Sequence, residues 1–346
     1  MKIETDPKLD FNNVLIRPKR STLSSRSDVS LEREFTFPHS TYTWKGVPII
    51  SANMDTTGTF EVYKELSRHK VITALHKFYS YEDYVRAIDA MDGLDPDYYM
   101  VSTGITDRDF ERLQAIVTLT DCKWICIDVA NGYMKRFVEF CARVRSMYPD
   151  KILVAGNVAT REMVEELIIN GKVDVVKCGI GPGSACVTRL KTGVGMPQLS
   201  AIIECSDAAH GVGGYVIGDG GITCPGDMAK AFCGGADFVM CGGVFSGHDE
   251  NPGELIEENG KQYKMFYGMS SEHAMKKHFG KMAKYRSSEG RVIKVSYKGS
   301  LENTILDYLG GLRSCCTYIN ARCIKHMPKC TTFVMVSQQL NLSLVR

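Results

Sequence analysis

Short apolar, often β-branched runs recur along the chain: Val47–Ser51, Val71–Leu75, Tyr99–Thr103, Trp124–Val129, Ile152–Ala155, Val173–Cys178, Tyr215–Asp219 and Phe238–Cys241. Runs of this length, bounded by turn-forming residues, read as buried strands. Between them lie stretches with helical period, such as Phe137, Val138, Cys141 and Val144, or Met163, Val164, Leu167 and Ile168. Most strand starts are about 22 to 28 residues apart, which accommodates a strand, a helix and two short loops. Eight such alternations predict an α/β fold, and eight is the number that closes a (β/α)8 TIM barrel. The sixth interval is longer, about 41 residues, and the excess follows the sixth strand directly.

That excess contains Gly179-Ile180-Gly181-Pro182-Gly183-Ser184-Ala185-Cys186-Val187-Thr188-Arg189. Three glycines in five positions let backbone approach a ligand closely, and successive N–H groups on such a turn can cradle an anion. Cys186 reads either as a nucleophile on an exposed turn or as small buried filler. The loops after barrel strands form the catalytic face, which favours the nucleophile. Strand seven ends in Asp219-Gly220-Gly221 and strand eight in Gly242-Gly243. Glycines after these two strands are a common phosphate cradle, and a carboxylate beside it suits a ribose diol rather than the phosphate.

Past strand eight, residues 254–268 read as a hairpin around Asn259-Gly260. Residues 281–299 are polar without a clear period, the pattern of a flap, and the last barrel helix is expected over 302–313. Residues 1–46 carry no repeating unit and are expected to wrap the barrel's outside. No interdomain linker interrupts the pattern, so residues 1–346 read as one barrel domain.

Composition excludes several classes. Apolar residues make up 44% of the 346-residue chain and the net charge is +2, which gives no footprint for nucleic acid. The start, Met1-Lys2-Ile3-Glu4-Thr5-Asp6, places charges where a signal peptide needs an apolar core, so a cytoplasmic protein is expected. Thirteen cysteines, an odd number, read as reduced thiols and mostly core filler.

Ser51-Ala52-Asn53-Met54-Asp55, Gly181-Pro182-Gly183-Ser184-x-Cys186, Asp219-Gly220-Gly221, Gly242-Gly243, Tyr267-Gly268-Met269-Ser270 and Tyr285-Arg286 follow one another in order. Together they resemble the IMP dehydrogenase / GMP reductase family over nearly the whole chain. The interval between strands two and three is too short for the regulatory CBS pair that IMP dehydrogenases carry. Arg17-Pro18-Lys19-Arg20, Asp128-Val129-Ala130-Asn131-Gly132-Tyr133, Gln198-Leu199-Ser200-Ala201 and Glu289-Gly290 are similar to the GMP reductase branch.

The resemblance implies NADPH-dependent reductive deamination of GMP to IMP. Cys186 would attack C2 of the purine, and Thr188 with Glu289 would relay the proton to departing ammonia. It implies that Ser184, Asp219, Gly220, Gly221, Gly242, Gly243, Gly268, Met269, Ser270, Arg286 and Gly290 bind the nucleotide. It implies NADPH contacts at Lys77, Asp128, Val129, Ala130, Ile180, Gly181, Met269, Tyr285 and Arg286. Ser25, Arg26, Ser314, Cys315, Cys316 and Thr317 would complete that site across subunits, in a homotetramer. A monovalent cation, K⁺, would sit on Gly181, Gly183 and Cys186, with Arg189 approaching from a neighbouring subunit. Three positions depart from the family's usual residues: Val187 for threonine, Phe78 for histidine and Gly218 for serine. The alternatives are an IMP dehydrogenase without regulatory modules and a nucleotide-binding barrel that has lost catalysis.

Overall fold

The strands close on themselves. In the computed structural model, which describes residues 1, 3–281 and 287–337, eight parallel strands form a barrel in chain order. They are β1 Ile49–Ser51, β2 Ile72–Leu75, β3 Tyr99–Thr103, β4 Trp124–Asp128, β5 Ile152–Val158, β6 Val175–Cys178, β7 Tyr215–Asp219 and β8 Phe238–Cys241. β8 pairs with β1, as Met240 beside Ile50, and this seam completes the ring. Helices α1 Phe60–Leu66, α2 Tyr81–Ala90, α3 Asp107–Leu119, α4 Lys135–Met147, α5 Arg161–Ile169, α7 Gln198–Gly211 and α8 Pro225–Cys233 lie between strands. The short helix α6, Thr188–Thr192, belongs to the enlarged loop after β6. Their starts are locally encoded: Thr59, Ser80 and Thr106 each accept a backbone N–H from the first turn of the helix that follows.

Three features differ from the sequence expectation. The first is the floor of the barrel. Residues 33–46 do not wrap its outside: strands Arg33–Thr36 and Thr43–Gly46 pair as a hairpin beneath it. Phe35 stacks on Phe238 with ring centres 4.4 Å apart, and Trp44 meets Trp124 edge-on at 5.7 Å. Phe238 and Trp124 begin β8 and β4, so the hairpin plugs the N-terminal end of the ring. Earlier residues, Phe11, Val14, Val29 and Leu31, do pack outside, in a shared core with α8 and the last helix.

The second is the flap region. After β8, β9 (Ile256–Glu258) and β10 (Lys261–Tyr267) form the expected hairpin, with Asn259 and Gly260 both at positive φ. Helix α9, Glu272–Phe279, follows, and β11, Val292–Ser296, then joins β10 as a third strand. Ile293 and Val295 are half-buried while their neighbours are exposed, an alternation too shallow to stand out in a polar stretch. The third is helix α10, which runs Leu301–Ile319, well past the expected end. Gly310 and Gly311 do not stop it. A Cβ at Gly311 would lie 2.5 Å from the Cβ of Pro225, so the glycine lets α10 cross the start of α8 closely.

Candidate active site

The turn after β6 is built around glycine. Gly181 has φ +83°, and a Cβ there would meet the Arg189 side chain at 2.6 Å. Neither that dihedral nor that approach suits another residue. The chain then tightens through a hydrogen bond from Cys186 N to Gly183 O, 3.0 Å, and enters α6. Cys186 is half-buried, with its Sγ 3.3 Å from Thr188 Oγ1. Thr188 Oγ1 lies 2.7 Å from Glu289 Oε2, a partner 101 positions along the chain.

Glu289 arrives there because the flap pairs with the cysteine loop. Cys186 and Gly290 form an antiparallel bridge. Val187 N donates to Glu289 O at 2.8 Å and Arg291 N to Ala185 O at 3.0 Å. Arg291 Nε adds a bond to Ser184 O. The approach leaves no room for a side chain at Gly290, where a Cβ would sit 2.8 Å from Ser271 N. Val187 thus serves the loop through its backbone N–H. A hydroxyl at that position is not used in these contacts.

Beside this loop, the C-terminal mouth of the barrel holds a buried charge cluster. Lys177 on β6 is 2.6 Å from Asp128 on β4 and 2.8 Å from Asp219 on β7. Asn157 Nδ2 donates to the same Asp219 Oδ2 at 2.8 Å. Gln198 Nε2, at the start of α7, donates to the main-chain oxygens of Cys178 and Asp219. Burial alone would lower the Lys177 pKa, but the two flanking carboxylates more than offset it, and the ammonium stays charged. Burial would likewise raise Asp128, yet Lys177 holds it below the usual carboxylate range. Lys177 and Asn157 were not among the residues singled out from the sequence. The signal was there: a lysine in Val175-Val176-Lys177-Cys178 is a charge inside an otherwise apolar strand.

The expected nucleotide residues gather around the loop. Gly220 and Gly221 face Pro182, Gly243 faces Ser184 Oγ, and Gly268 lies against Ala185 O. Met269 and Ser270 continue from Gly268, and Gly242 lies over Met54. Ile180 and Val129 are half-buried at the mouth, and Ala130 is exposed. Phe78, next to Lys77, stacks flat on His278 with ring centres 3.6 Å apart. Tyr285 and Arg286 lie outside the described residues.

Another group gathers elsewhere. Ser25, Arg26 and Thr317 line one surface pocket with Leu23 and Ser24. Ser314, Cys315 and Cys316 stand on the same stretch of α10. Arg189 is held within its own chain: Nη1 is 3.2 Å from Asp10 Oδ2, and Nη2 donates to Met196 O at 2.6 Å. All thirteen cysteines are free thiols and most are buried. Burial pushes the Cys126 thiol up to about 12 and makes it inert, whereas Cys186 has a hydroxyl beside it on the rim.

The domain model described as IMP dehydrogenase / GMP reductase domain matches residues 8–341. The chain belongs to the IMP dehydrogenase / GMP reductase family. It is 57% identical to a protein of Klebsiella pneumoniae named GMP reductase, over 99% of this chain and 98% of the relative. Proteins of the same name from Salmonella typhi and Escherichia coli O157:H7 are 56% identical over the same shares. The chain is therefore an enzyme of this family, with its cysteine loop on the catalytic face of the barrel. β2 and β3 are joined through α2 alone.

Proposed function

We propose that this protein is a GMP reductase, catalysing NADPH-dependent reductive deamination of GMP to IMP and ammonia. The observation that carries this reading is the unbroken chain from Cys186 Sγ to Thr188 Oγ1 to Glu289 Oε2. The thiolate of Cys186 adds to C2 of the guanine ring, and ammonia leaves after taking a proton. The product is a purine joined to the enzyme through sulfur. Thr188 and Glu289 deliver that proton, since an amine leaves readily only when protonated. A reduced nicotinamide bound at the mouth would supply hydride to C2, so that the C–S bond breaks and IMP departs with the thiolate restored.

The residues of the mouth fit both partners. Asp219 is fixed by Lys177 and Asn157 through Oδ2, which leaves its other oxygen to meet a ribose diol. Ser184, Gly220, Gly221, Gly242, Gly243, Gly268, Met269, Ser270 and Gly290 would bind the rest of GMP through backbone and hydroxyl groups. Lys77, Asp128, Val129 and Ala130 would line the nicotinamide half of NADPH, with Ile180, Gly181 and Met269 between it and the purine. Ser25 and Arg26, in the pocket shared with Thr317, offer a cation and a hydroxyl for an adenosine 2′-phosphate. We read that pocket as completing the cofactor site of a second copy, in a homotetramer. Main-chain carbonyls of Gly181, Gly183 and Cys186 offer oxygen donors for K⁺, with Arg189 alongside.

The reading also takes residues 1–346 as one catalytic barrel domain without a CBS regulatory pair, acting in the cytoplasm on free nucleotides. Among the described residues, no helix is long and apolar enough to cross a membrane. The test is mass spectrometry of acid-quenched enzyme during turnover with GMP and NADPH. A purine adduct on the peptide carrying Cys186 is expected, absent from Cys186→Ala, which should still bind GMP. Cofactor turnover only with IMP and NAD would identify an IMP dehydrogenase instead. Nucleotide binding without turnover in either direction would leave a non-catalytic barrel.

A further inference from the structure

The flap that carries Glu289 is fastened at a second point, away from the cysteine. Asp55 lies on the loop between β1 and α1 and is buried, with 4% of its surface exposed. One of its oxygens, Oδ2, is met by three donors: Tyr267 OH at 2.8 Å, Lys277 Nζ at 2.8 Å and His278 Nε2 at 2.7 Å. Lys277 Nζ also donates to Tyr267 OH at 3.0 Å, which knits the donors together. All three come from the segment after β8. Tyr267 ends β10 and precedes Gly268, which lies against the cysteine loop. Lys277 and His278 are in the last turn of α9, the helix that leads into the flap.

Burial would raise the Asp55 pKa, but the bonds from Lys277, His278 and Tyr267 more than offset it, so the carboxylate is ionised. The loop beneath it is bonded to itself and to Asn251. Thr57 Oγ1 bonds to Ala52 O, Ser51 Oγ to Thr57 O, and Asn251 Nδ2 to Thr56 O. On the far side, His278 stacks on Phe78, whose own N–H donates to His76 Nδ1 at 3.2 Å. That bond spans Lys77. One carboxylate therefore ties together the end of β10, the end of α9 and the turn that presents Lys77.

We propose that Asp55 is a positioning residue: it latches α9 and β10 so that Glu289 reaches Thr188. A buried, ionised carboxylate is stable here only while α9 supplies its donors, so docking of the helix and burial of the charge are one event. Displacing the flap by about 1 Å would separate the relay and cost on the order of a hundredfold in rate. The proposal rests on the reductase reading for its kinetic consequence, but not for its structural one.

Asp55→Asn keeps the shape and places an amide where donors converge. Its kcat should fall about 10- to 100-fold with GMP KM changed less than about threefold. In a Glu289→Gln background the same substitution should cost less than about threefold more, because the relay it positions is already lost. His278→Gln should follow the same pattern at smaller size, and provides a second reading if Asp55→Asn folds poorly. Hydrogen exchange at the Val187 and Arg291 amides, whose bonds join loop and flap, should accelerate in Asp55→Asn. Full multiplication of the two losses, or unchanged exchange at those amides, would overturn the latch. Wild-type protein inactive on GMP, with exchange accelerated as expected, would defeat the reductase reading and leave the latch standing.

Discussion

At the scale of single residues, the site depends on groups whose role lies in their surroundings. What the loop takes from Val187 is an N–H to Glu289 O. The backbone supplies that whatever the side chain. Lys177 shows the converse: its charge is bearable inside the barrel only because Asp128 and Asp219 flank it. His76 carries a measurable consequence. It is 9% exposed, its Nδ1 accepts the Phe78 N–H, and burial lowers its pKa to about 4. An unfolded histidine titrates near 6.5, so the unfolded chain binds more protons than the folded one between these values. The stability that His76 contributes is present above about pH 6.5 and is lost as pH falls toward 4. Urea unfolding at pH 7 and pH 5 should show His76→Asn losing about 2 kcal/mol less than wild type across that interval. Asn can accept the same N–H without titrating. An identical pH dependence in the two proteins would refute the assignment.

At the scale of elements, what matters is how the flap meets the loop. The β9–β10 turn is legible in Asn259-Gly260, because both residues tolerate positive φ. β11 is not legible, since one half-covered face gives Val292–Ser296 only a weak alternation. Yet β11 follows directly on the segment that brings Gly290 to Cys186 and Glu289 to Thr188. Gly290→Ala tests that docking. Its Cβ would fall 2.8 Å from Ser271 N and 3.1 Å from Gly268, all backbone that cannot swing aside. Turnover should drop about a hundredfold. The thermal midpoint should move only a few degrees, about what a 1 kcal/mol change produces. A variant with normal kcat would show that the Cys186–Gly290 pairing is dispensable.

At the scale of the whole molecule, the barrel separates stability from chemistry. Its N-terminal end is sealed by Phe35 and Trp44 against Trp124 and Phe238, all almost fully buried. The mouth at the other end carries the cysteine loop, the charge cluster and the flap. Trp44→Ala should therefore cost about 3–5 kcal/mol in denaturant unfolding, as deletion of a large core side chain does, while GMP KM stays unchanged. A loss below about 1 kcal/mol would mean the floor hairpin is not part of the core.

The eight strands, the overlong interval after the sixth and the glycine loop bearing Cys186 were all readable from local pattern. Hydrophobic period, turn chemistry and spacing act within a few residues, and these features need nothing more. The family's motifs add Thr188 and Glu289 as residue types but cannot bring them together. Contacts between distant segments were decided only by tertiary structure. The hairpin at residues 33–46 plugs the barrel because its aromatics fit that opening, and nothing in their own segment says so. The placing of Lys177 between carboxylates 49 positions before it and 42 after it is a property of the closed ring. The meeting of Glu289 with Thr188, and the fastening of the flap by Asp55, follow from one physical fact. A buried or bonded polar group is stable only where its partners already stand, and here the fold sets those partners in place.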